Sequence, residues 1–111
     1  MRDVSSIDTS VTLFDHTYPL PVGIAPSAMQ KLVNGQGELD MARAATKLGL
    51  LMGLSSQSTT TLEEVMSVRT GGTNLPQFWH QLYLTQTPEK SLPLIKRAEG
   101  RLSAVSRQYN I

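Results

Sequence analysis

The sequence predicts an α/β protein in which a short hairpin precedes three strand–helix units of a parallel sheet. Three short apolar runs, at 21–25, 50–54 and 78–84, each stand before a segment with helical periodicity or helix-start residues. Such continuous runs are typical of strands that are buried on both faces, as parallel strands covered by helices are. With 111 residues and no internal repeat, the chain has sequence enough for one domain at most.

The composition is that of a folded globular chain, and it excludes several functional classes. Hydrophobic residues make up 40% and charged residues 17%, and ten Lys plus Arg against nine Asp plus Glu give a formal charge of +1. That charge is too small for a nucleic-acid-binding face. The absence of cysteine excludes disulfides, thiolate zinc sites and cysteine nucleophiles. Because the only histidines are His16 and His80, we predict no metal site.

No segment has the pattern of a membrane span or of a secretory signal. The longest apolar stretch, 48–54, is far shorter than the ~20 residues that a span needs. The N-terminus carries one Arg, and the apolar run of a signal peptide does not follow it. We therefore expect a soluble intracellular protein without a membrane partner, and the compartment stays open.

The first elements are predicted to be a hairpin and a buried strand. Val11 and Leu13 alternate with polar neighbours, the alternation resumes at Tyr18, and Asp15-His16 is the predicted turn between them. The apolar run 21–25, which Pro26 closes, is predicted as the first strand of the parallel sheet.

The first helix is predicted from a stripe of apolar residues at i, i+3, i+4 and i+7. Glu38 and Asp40 in its first turn complement the helix dipole, and Gly49 is placed to end it in a left-handed cap. The residues predicted to face inward are Met41, Ala44, Ala45 and Leu48.

The second and third units follow the same pattern. After the apolar run 50–54, Thr61 and Glu64 have the spacing of a capping box. After the aromatic-rich run 78–84, Thr87 is the predicted N-cap of a third helix that starts at Pro88. The residues predicted to face inward from these two helices are Leu62, Val65, Met66, Leu92, Ile95 and Ala98.

The end of the chain departs from this pattern. A fourth strand is due after the third helix, but no apolar run follows, and Leu102 and Val105 are placed to extend the helix instead. We therefore predict a sheet of three strands that is part of something larger, followed by a divergent tail at 100–111.

Polar or small residues occur where each predicted strand ends. In parallel α/β folds these ends lie together and form the ligand-binding edge of the sheet. Because no acid–base pair occurs among them, they indicate cofactor contacts more than a reacting centre. Ordinary loops that cap helices with Ser and Thr are the alternative. The residues are Pro26, Ser27, Ala28, Ser55, Ser56, Gln57, Gln81 and Tyr83.

Three motifs carry a resemblance to a known family. They are Gly-Ile-Ala-Pro-Ser-Ala-Met-Gln-Lys at 23–31, Leu-Ser-Ser-Gln-Ser-Thr at 54–59 and Phe-Trp-His-Gln-Leu-Tyr at 78–83, with a matching lead-in at 2–8. In order and spacing they resemble the FMN-dependent α-hydroxy-acid dehydrogenases and oxidases, which include glycolate oxidases and flavocytochrome-type L-lactate dehydrogenases. The similarity extends to about residue 99, so we assign 1–99 to the N-terminal portion of such a domain.

The resemblance implies the first three βα units of a (β/α)₈ TIM barrel, with FMN across the carboxyl-terminal mouth. It implies that the backbone of Pro26, Ser27 and Ala28 approaches the flavin ring, with an N–H near flavin N5. Ser55 and Gln81 match the positions whose hydroxyl and amide bind the pyrimidine edge of the ring.

The resemblance also assigns residues around the cofactor. Tyr83 matches a tyrosine that contacts the flavin site and the carboxylate or hydroxyl of the substrate. Gln57 stands where variable residues shape the substrate pocket. By strand alternation His80 is expected to point away from Gln81, toward the helices, as a packed residue and not a base. We predict no catalytic residue in this chain.

The implied reaction is FMN-dependent oxidation of an L-2-hydroxy acid, of lactate or glycolate type, to the 2-oxo acid. In the family a histidine base, an arginine, a lysine near flavin N1 and the phosphate-binding loops all belong to the fourth strand onward. We therefore expect a truncated, inactive piece that binds FMN weakly. The alternative is a short non-catalytic interaction module, or a vestigial fragment, that pairs its open sheet edge with a complementary piece. The sequence offers no basis for an oligomeric state.

Overall fold

A computed structural model of the chain describes residues 5–83, 87–100 and 104–108, and the last range as backbone only. Within these ranges a hairpin is followed by a parallel sheet with helices on one side. None of the helices in the described part of the chain is long and apolar enough to cross a membrane.

The sheet has four strands in the order in which they occur along the chain. They are β3 (Gly23–Ile24), β4 (Leu51–Leu54), β5 (Phe78–Tyr83) and β6 (Ala104–Gln108), and every neighbouring pair is parallel. Each crossover moves one strand along the sheet, as the predicted strand–helix units require. In the described residues the sheet does not close, so β3 and β6 are its two edges.

Three helices cover one face of the sheet. They are α1 (Glu38–Leu48), α2 (Leu62–Ser67) and α3 (Pro88–Glu99), and a short 3-10 helix, Gln30–Leu32, precedes α1. One apolar core joins the helices to the strands. Its buried members are Ala42, Ala45, Met52, Leu54, Leu62, Val65, Phe78 and Ala98.

The opposite face of the sheet is open. Gly53 pairs with Trp79 in the register of β4 and β5, and strand alternation places Gln81 on the same side as Trp79. His80 pairs with Leu54 and lies on the helix side, as predicted. The two sides of β5 therefore separate a core-facing set of residues from a set available to a ligand.

The hairpin consists of β1 (Val11–Leu13) and β2 (His16–Tyr18). Its turn lies one residue earlier than predicted, at Phe14 and Asp15, which both have positive φ. Phe14 packs edge-on against Trp79, with 5.0 Å between ring centroids. The hairpin therefore covers the amino-terminal end of the strands.

The inward stripe predicted for α1 is wrong in part. Ala45 is buried as expected, but Met41 and Leu48 are 37% and 59% exposed, and Ala44 is exposed. The buried stripe contains Glu38 and Ala42 instead, because small alanines let the helix lie close to the sheet and the carboxylate has hydrogen-bond partners there. The spacing of apolar residues could not identify this face of α1, because the face includes the charged residue Glu38.

The other two helices were predicted more closely. α2 begins with the predicted capping box of Thr61 and Glu64, and it buries Leu62 and Val65. Met66 packs partly buried against the core. Gly49 ends α1 in the predicted left-handed cap, with φ of 68°.

In α3 the N-cap and first residue are as predicted, but Thr87 makes no side-chain cap and Leu92 is half exposed. Ser91 is buried beside the expected Ala98 and partly buried Ile95. Pro93 is accommodated inside the helix.

The three predicted strand–helix units are confirmed, but the expectation that the third helix is extended and that no fourth strand follows it is wrong. Residues 104–108 form β6, which pairs with β5 over its whole length. Main-chain hydrogen bonds hold a strand in a sheet whether or not its side chains are apolar. Because residues 104–108 contain no apolar run, the sequence pattern did not indicate this strand. Leu102, which the helix extension included, and Leu84, which the third strand included, lie outside the described residues. The assignment of 100–111 as a divergent tail stays a prediction.

Candidate functional site

The polar residues predicted at the strand ends fall on two loops and the end of β5. The loop after β3 runs over 25–29, and the loop after β4 runs over 55–61. A backbone hydrogen bond joins them, in which the Met29 N–H donates to the Gln57 carbonyl oxygen over 3.3 Å. The two loops therefore form one surface at the carboxyl ends of the strands.

Ser55 and Gln81 meet at the centre of this surface. The Ser55 Oγ donates to Gln81 Oε1 over 3.4 Å, and the Ser56 N–H donates to the same oxygen over 3.3 Å. The Ser55 Oγ in turn accepts from the Gln57 N–H over 3.1 Å. Ser55 and Gln81 are only 6% and 5% exposed. These contacts fix the orientation of the Gln81 amide. Its Oε1 faces the β4 loop, and its Nε2 is the end of the amide that donates hydrogen bonds.

Pro26 lies flat against the backbone of β4. A Cβ added to Gly53 would come within 2.7 Å of the Pro26 ring carbons, so only glycine permits this approach. Pro26, Gly53, Trp79 and Gln81 line an open cavity of about 280 Å³ on the ligand-facing side of the sheet, which we call the site cavity. Gln81 contributes its amide side chain to this lining.

Ser27 and Ala28 lie on the same loop but line a different depression. With Met29, Met41 and Ala44 they border an apolar groove of about 490 Å³ beside α1, which we call the outer groove. The structure therefore brings Pro26, Ser55 and Gln81 together and places the side chains of Ser27 and Ala28 next to them but outside the site cavity. The Ser27 carbonyl accepts from Gln30 Nε2 over 3.3 Å, which ties the loop to the 3-10 helix.

Tyr83 is the last residue of β5. It lies two residues after Gln81 and therefore on the same side of the sheet, and its side chain is 39% exposed. Tyr83 is not among the described residues that line the site cavity.

Sequence reasoning missed Glu38 as part of this region. The side chain is fully buried, and its carboxylate accepts from the backbone N–H groups of Gln30 and Thr59 over 3.2 and 2.9 Å. It also accepts from the hydroxyls of Thr59 and Thr60, at 2.8 and 2.7 Å to Oε2. These partners lie 8 to 22 residues away in sequence, so no local sequence pattern predicts the contacts.

The environment keeps Glu38 ionised. Burial alone would raise the pKa of the Glu38 carboxyl. Hydrogen bonds from the Thr59 backbone and from the Thr60 and Thr59 hydroxyls outweigh that effect and lower the pKa to about 2. A negative charge thus sits under the surface formed by the two loops.

His80 has a packing role on the other side of β5. Its Nδ1 is buried and has no hydrogen-bond partner within the described residues. Burial, together with the nearby charge of Arg97, lowers the pKa of His80 and outweighs the opposing effect of the Leu54 backbone. The ring lies on the helix side of β5 and faces away from the site cavity.

This arrangement fits the isoalloxazine ring of FMN. The lining of the site cavity is mostly apolar and includes the Gln81 amide, to which Ser55 is hydrogen-bonded, and such a combination suits a planar ring with donors and acceptors along one side. Among the described residues, those that line the cavity carry no charged side chain.

Comparisons with known proteins show the family to which the chain belongs. The model of the family described as FMN-dependent dehydrogenase matches residues 1–104. A 2-hydroxyacid oxidase of Dictyostelium discoideum is 38% identical over 98 residues, which are 88% of this chain and 24% of that protein. Glycolate oxidase 3 of Arabidopsis thaliana is 42% identical over 97 residues, 87% of this chain and 25% of that protein.

A solved structure shows the same fold. A mandelate oxidase crystallised with (S)-4-hydroxymandelic acid superimposes with a TM-score of 0.82 at 34% identity, over 96% of this chain and 29% of that one. The chain thus spans about a quarter of the length of the curated relatives that it matches. Its fold is the N-terminal part of a (β/α)₈ barrel, and the chain belongs to the FMN-dependent dehydrogenase family.

Proposed function

We propose that this chain supplies the flavin-ring-binding part of an FMN-dependent 2-hydroxy-acid oxidoreductase. The observation that carries the proposal is the pairing of Ser55 with Gln81, which lines the site cavity together with Pro26 and Gly53. The substrate class is a small L-2-hydroxy acid of lactate or glycolate type, and it rests on the relatives, which include glycolate and lactate oxidases.

Each site residue has a role that its position supports. Gln81 and Ser55 would bind the polar edge of the ring, and the backbone of Pro26, Ser27 and Ala28 would also contact it. Tyr83 would bind the carboxylate or hydroxyl of the hydroxy acid. When bound, FMN supplies the two-electron acceptor of the oxidation.

We propose that the 111-residue chain by itself binds flavin weakly and does not turn over a hydroxy acid. The described lining of the site cavity holds no side chain that could act as the base, and His80 faces the helices. General-base catalysis contributes about 10²–10⁴-fold, so a site without it is slow even when flavin is in place.

The test is a fluorescence titration of riboflavin and FMN with the purified 111-residue chain. Because the contacts are to the ring, both flavins are expected to bind with the same Kd within about twofold. Gln81→Ala removes the amide and is expected to weaken the binding of both flavins by about fivefold, since a lost hydrogen bond is worth about 1 kcal/mol.

The matched control is Gln36→Ala, the same substitution at an exposed glutamine before α1, which should leave the Kd unchanged. Equal affinity of the wild type and Gln81→Ala, or no flavin binding by the wild type, would contradict the proposal.

The open edges of the sheet favour a second candidate function. β3 and β6 each leave one side without a strand partner in the described residues, and such edges recruit further strands. The chain would then act as a non-catalytic module that pairs with a complementary barrel piece. Co-purification with the remaining three quarters of a glycolate oxidase tests it, and failure of the two to associate would rule it out.

A further inference from the structure

The buried carboxylate of Glu38 contacts the β4 loop and the residue that directly follows the β3 loop. Its Oε1 accepts from the Gln30 N–H, which lies just after the β3 loop. The same oxygen accepts from the Thr59 N–H in the β4 loop, and Oε2 accepts from the Thr60 hydroxyl. One carboxylate therefore joins two segments that are about thirty residues apart.

Further hydrogen bonds run between the same two segments. The Lys31 N–H donates to Thr59 Oγ1 over 3.2 Å, and the Met29 N–H donates to the Gln57 carbonyl over 3.3 Å. Met29 has a left-handed backbone, with φ of 56°, which costs energy in a residue other than glycine and persists only where neighbours hold it. Together with the hydrogen bonds to Glu38, these bonds hold the two loops against each other. We call this set of hydrogen bonds the lock.

The fold of α1 does not depend on this carboxylate alone. Ala42 and Ala45 are both fully buried and attach the helix to the sheet, and Gly49 ends it. The Glu38 side chain instead uses its acceptor capacity on Gln30, Thr59 and Thr60, and neither ion pair found in the described residues includes it. Hydrogen bonds to a charged group are the strong ones, so the lock is stiff.

We propose that Glu38 is a positioning residue for the cofactor site. Its carboxylate fixes the β3 loop against the β4 loop, and so fixes the backbone at Ala28 relative to the Ser55–Gln81 pair. This inference rests on the proposed function, in that these two loops bind the flavin ring. A ring that must meet both loops at once binds well only when their separation is set beforehand.

The first test measures the lock without flavin. Amide hydrogen exchange is followed by NMR in the full 111-residue chain, in the wild type and in Glu38→Gln. Glu38→Gln is expected to speed exchange at the Met29 N–H by about tenfold, although Met29 does not touch Glu38, and to leave the amides of Ala42 and Ala45 unchanged. Unchanged Met29 exchange would overturn the proposal.

The second test measures riboflavin affinity in the same proteins. Glu38→Gln is expected to weaken binding about tenfold. In the Gln81→Ala background, Glu38→Gln is expected to weaken riboflavin binding by a smaller factor. Once the Gln81 amide is gone, the placement of the loops relative to that amide no longer affects binding. Faster Met29 exchange with an unchanged Kd would overturn the positioning role.

Two further variants keep the test informative. Asp40→Asn removes an exposed carboxylate of the same helix and should change neither readout. Thr60→Val keeps Glu38 and removes one donor, so it serves if Glu38→Gln fails to fold, and it is expected to give the same two changes at a few-fold size. Normal behaviour of Thr60→Val would overturn the lock.

The outcome also separates this inference from the proposed function. A wild-type chain that binds no riboflavin sinks the proposed function and with it the role toward flavin. A chain that binds riboflavin and loses affinity in Gln81→Ala but not in Glu38→Gln sinks only the positioning role.

Discussion

Glu38 is buried and negatively charged, and hydrogen bonds from two segments of the chain make that combination stable. Its pKa is lowered to about 2 from an ordinary value of 4.5, since those bonds outweigh burial. A carboxyl whose folded pKa is depressed adds stability above its unfolded pKa. That stability is lost as the pH falls from about 4.5 toward 2.

Acid should therefore destabilise the wild type more than a variant without this group. Between pH 7 and pH 3 the wild type is expected to lose roughly 2 kcal/mol of unfolding free energy through Glu38, whereas Glu38→Gln loses none of that share. Urea unfolding at the two pH values measures the difference. Asp40→Asn should behave like the wild type, and an equal loss in Glu38→Gln and the wild type would refute the assignment.

Gly53 makes a second residue-scale prediction possible. A Cβ at this position meets the Pro26 ring at 2.7 Å, so Gly53→Ala must push the β3 loop away from the sheet. We expect a loss of about 1–3 kcal/mol in unfolding free energy and weaker riboflavin binding. Gly72→Ala is the control, because its Cβ meets nothing within 4 Å and should change stability by less than about 0.5 kcal/mol. Equal stability of the two variants would contradict the prediction, because it would show that Pro26 can move away from residue 53 without a loss of unfolding free energy.

At the scale of residues, the sequence was sufficient to predict that Ser55 and Gln81 lie close together, but it was not sufficient to predict the buried charge of Glu38. Ser55 directly follows β4 and Gln81 lies near the carboxyl end of β5, so the parallel pairing of these two strands brings both residues to one edge of the sheet. Glu38 carried only the signal of an acidic residue in a first helical turn. Its burial depends on Thr59 and Thr60, which reach it through the tertiary fold.

At the scale of elements, helix termini were more predictable than helix faces. The capping box of Thr61 and Glu64 and the left-handed Gly49 are local chemistry, and both are present as expected. The buried faces of α1 and α3 depend on which side the sheet occupies. Met41 and Leu92 are apolar but exposed, while Ser91 is buried.

The capping box gives an element-scale prediction. In α2 the Thr61 side chain accepts from the Glu64 N–H, while the Glu64 carboxylate accepts from the Thr61 N–H over 2.9 Å. Thr61→Ala is expected to cost about 1 kcal/mol of unfolding free energy, since a short helix has few other bonds at its start. Urea denaturation measures it against Thr73→Ala, in the exposed loop before β5. A cost no larger than that of the control would contradict the cap's role.

At the scale of the molecule, the parallel order of the strands followed from the alternation of apolar runs and helical segments. The fourth strand did not, because β6 is held to β5 by main-chain pairing and its sequence, Ala-Val-Ser-Arg-Gln, lacks an apolar run. The result is a sheet with helices on one side and a ligand-facing side that stays open. That open side carries the site cavity, and the hairpin closes the opposite end of the strands.

The central claim is that this open side binds a flavin ring between the two loops and Gln81. The most direct measurement is an NMR titration of the isotopically labelled 111-residue chain with riboflavin, followed at every amide. The account predicts shift changes at the Gln81 side-chain amide and at the backbone of Ala28 and Ser55, with the amides of α1 near Lys47 unchanged. Shifts concentrated on the helix side of the sheet, or none at saturating riboflavin, would contradict it.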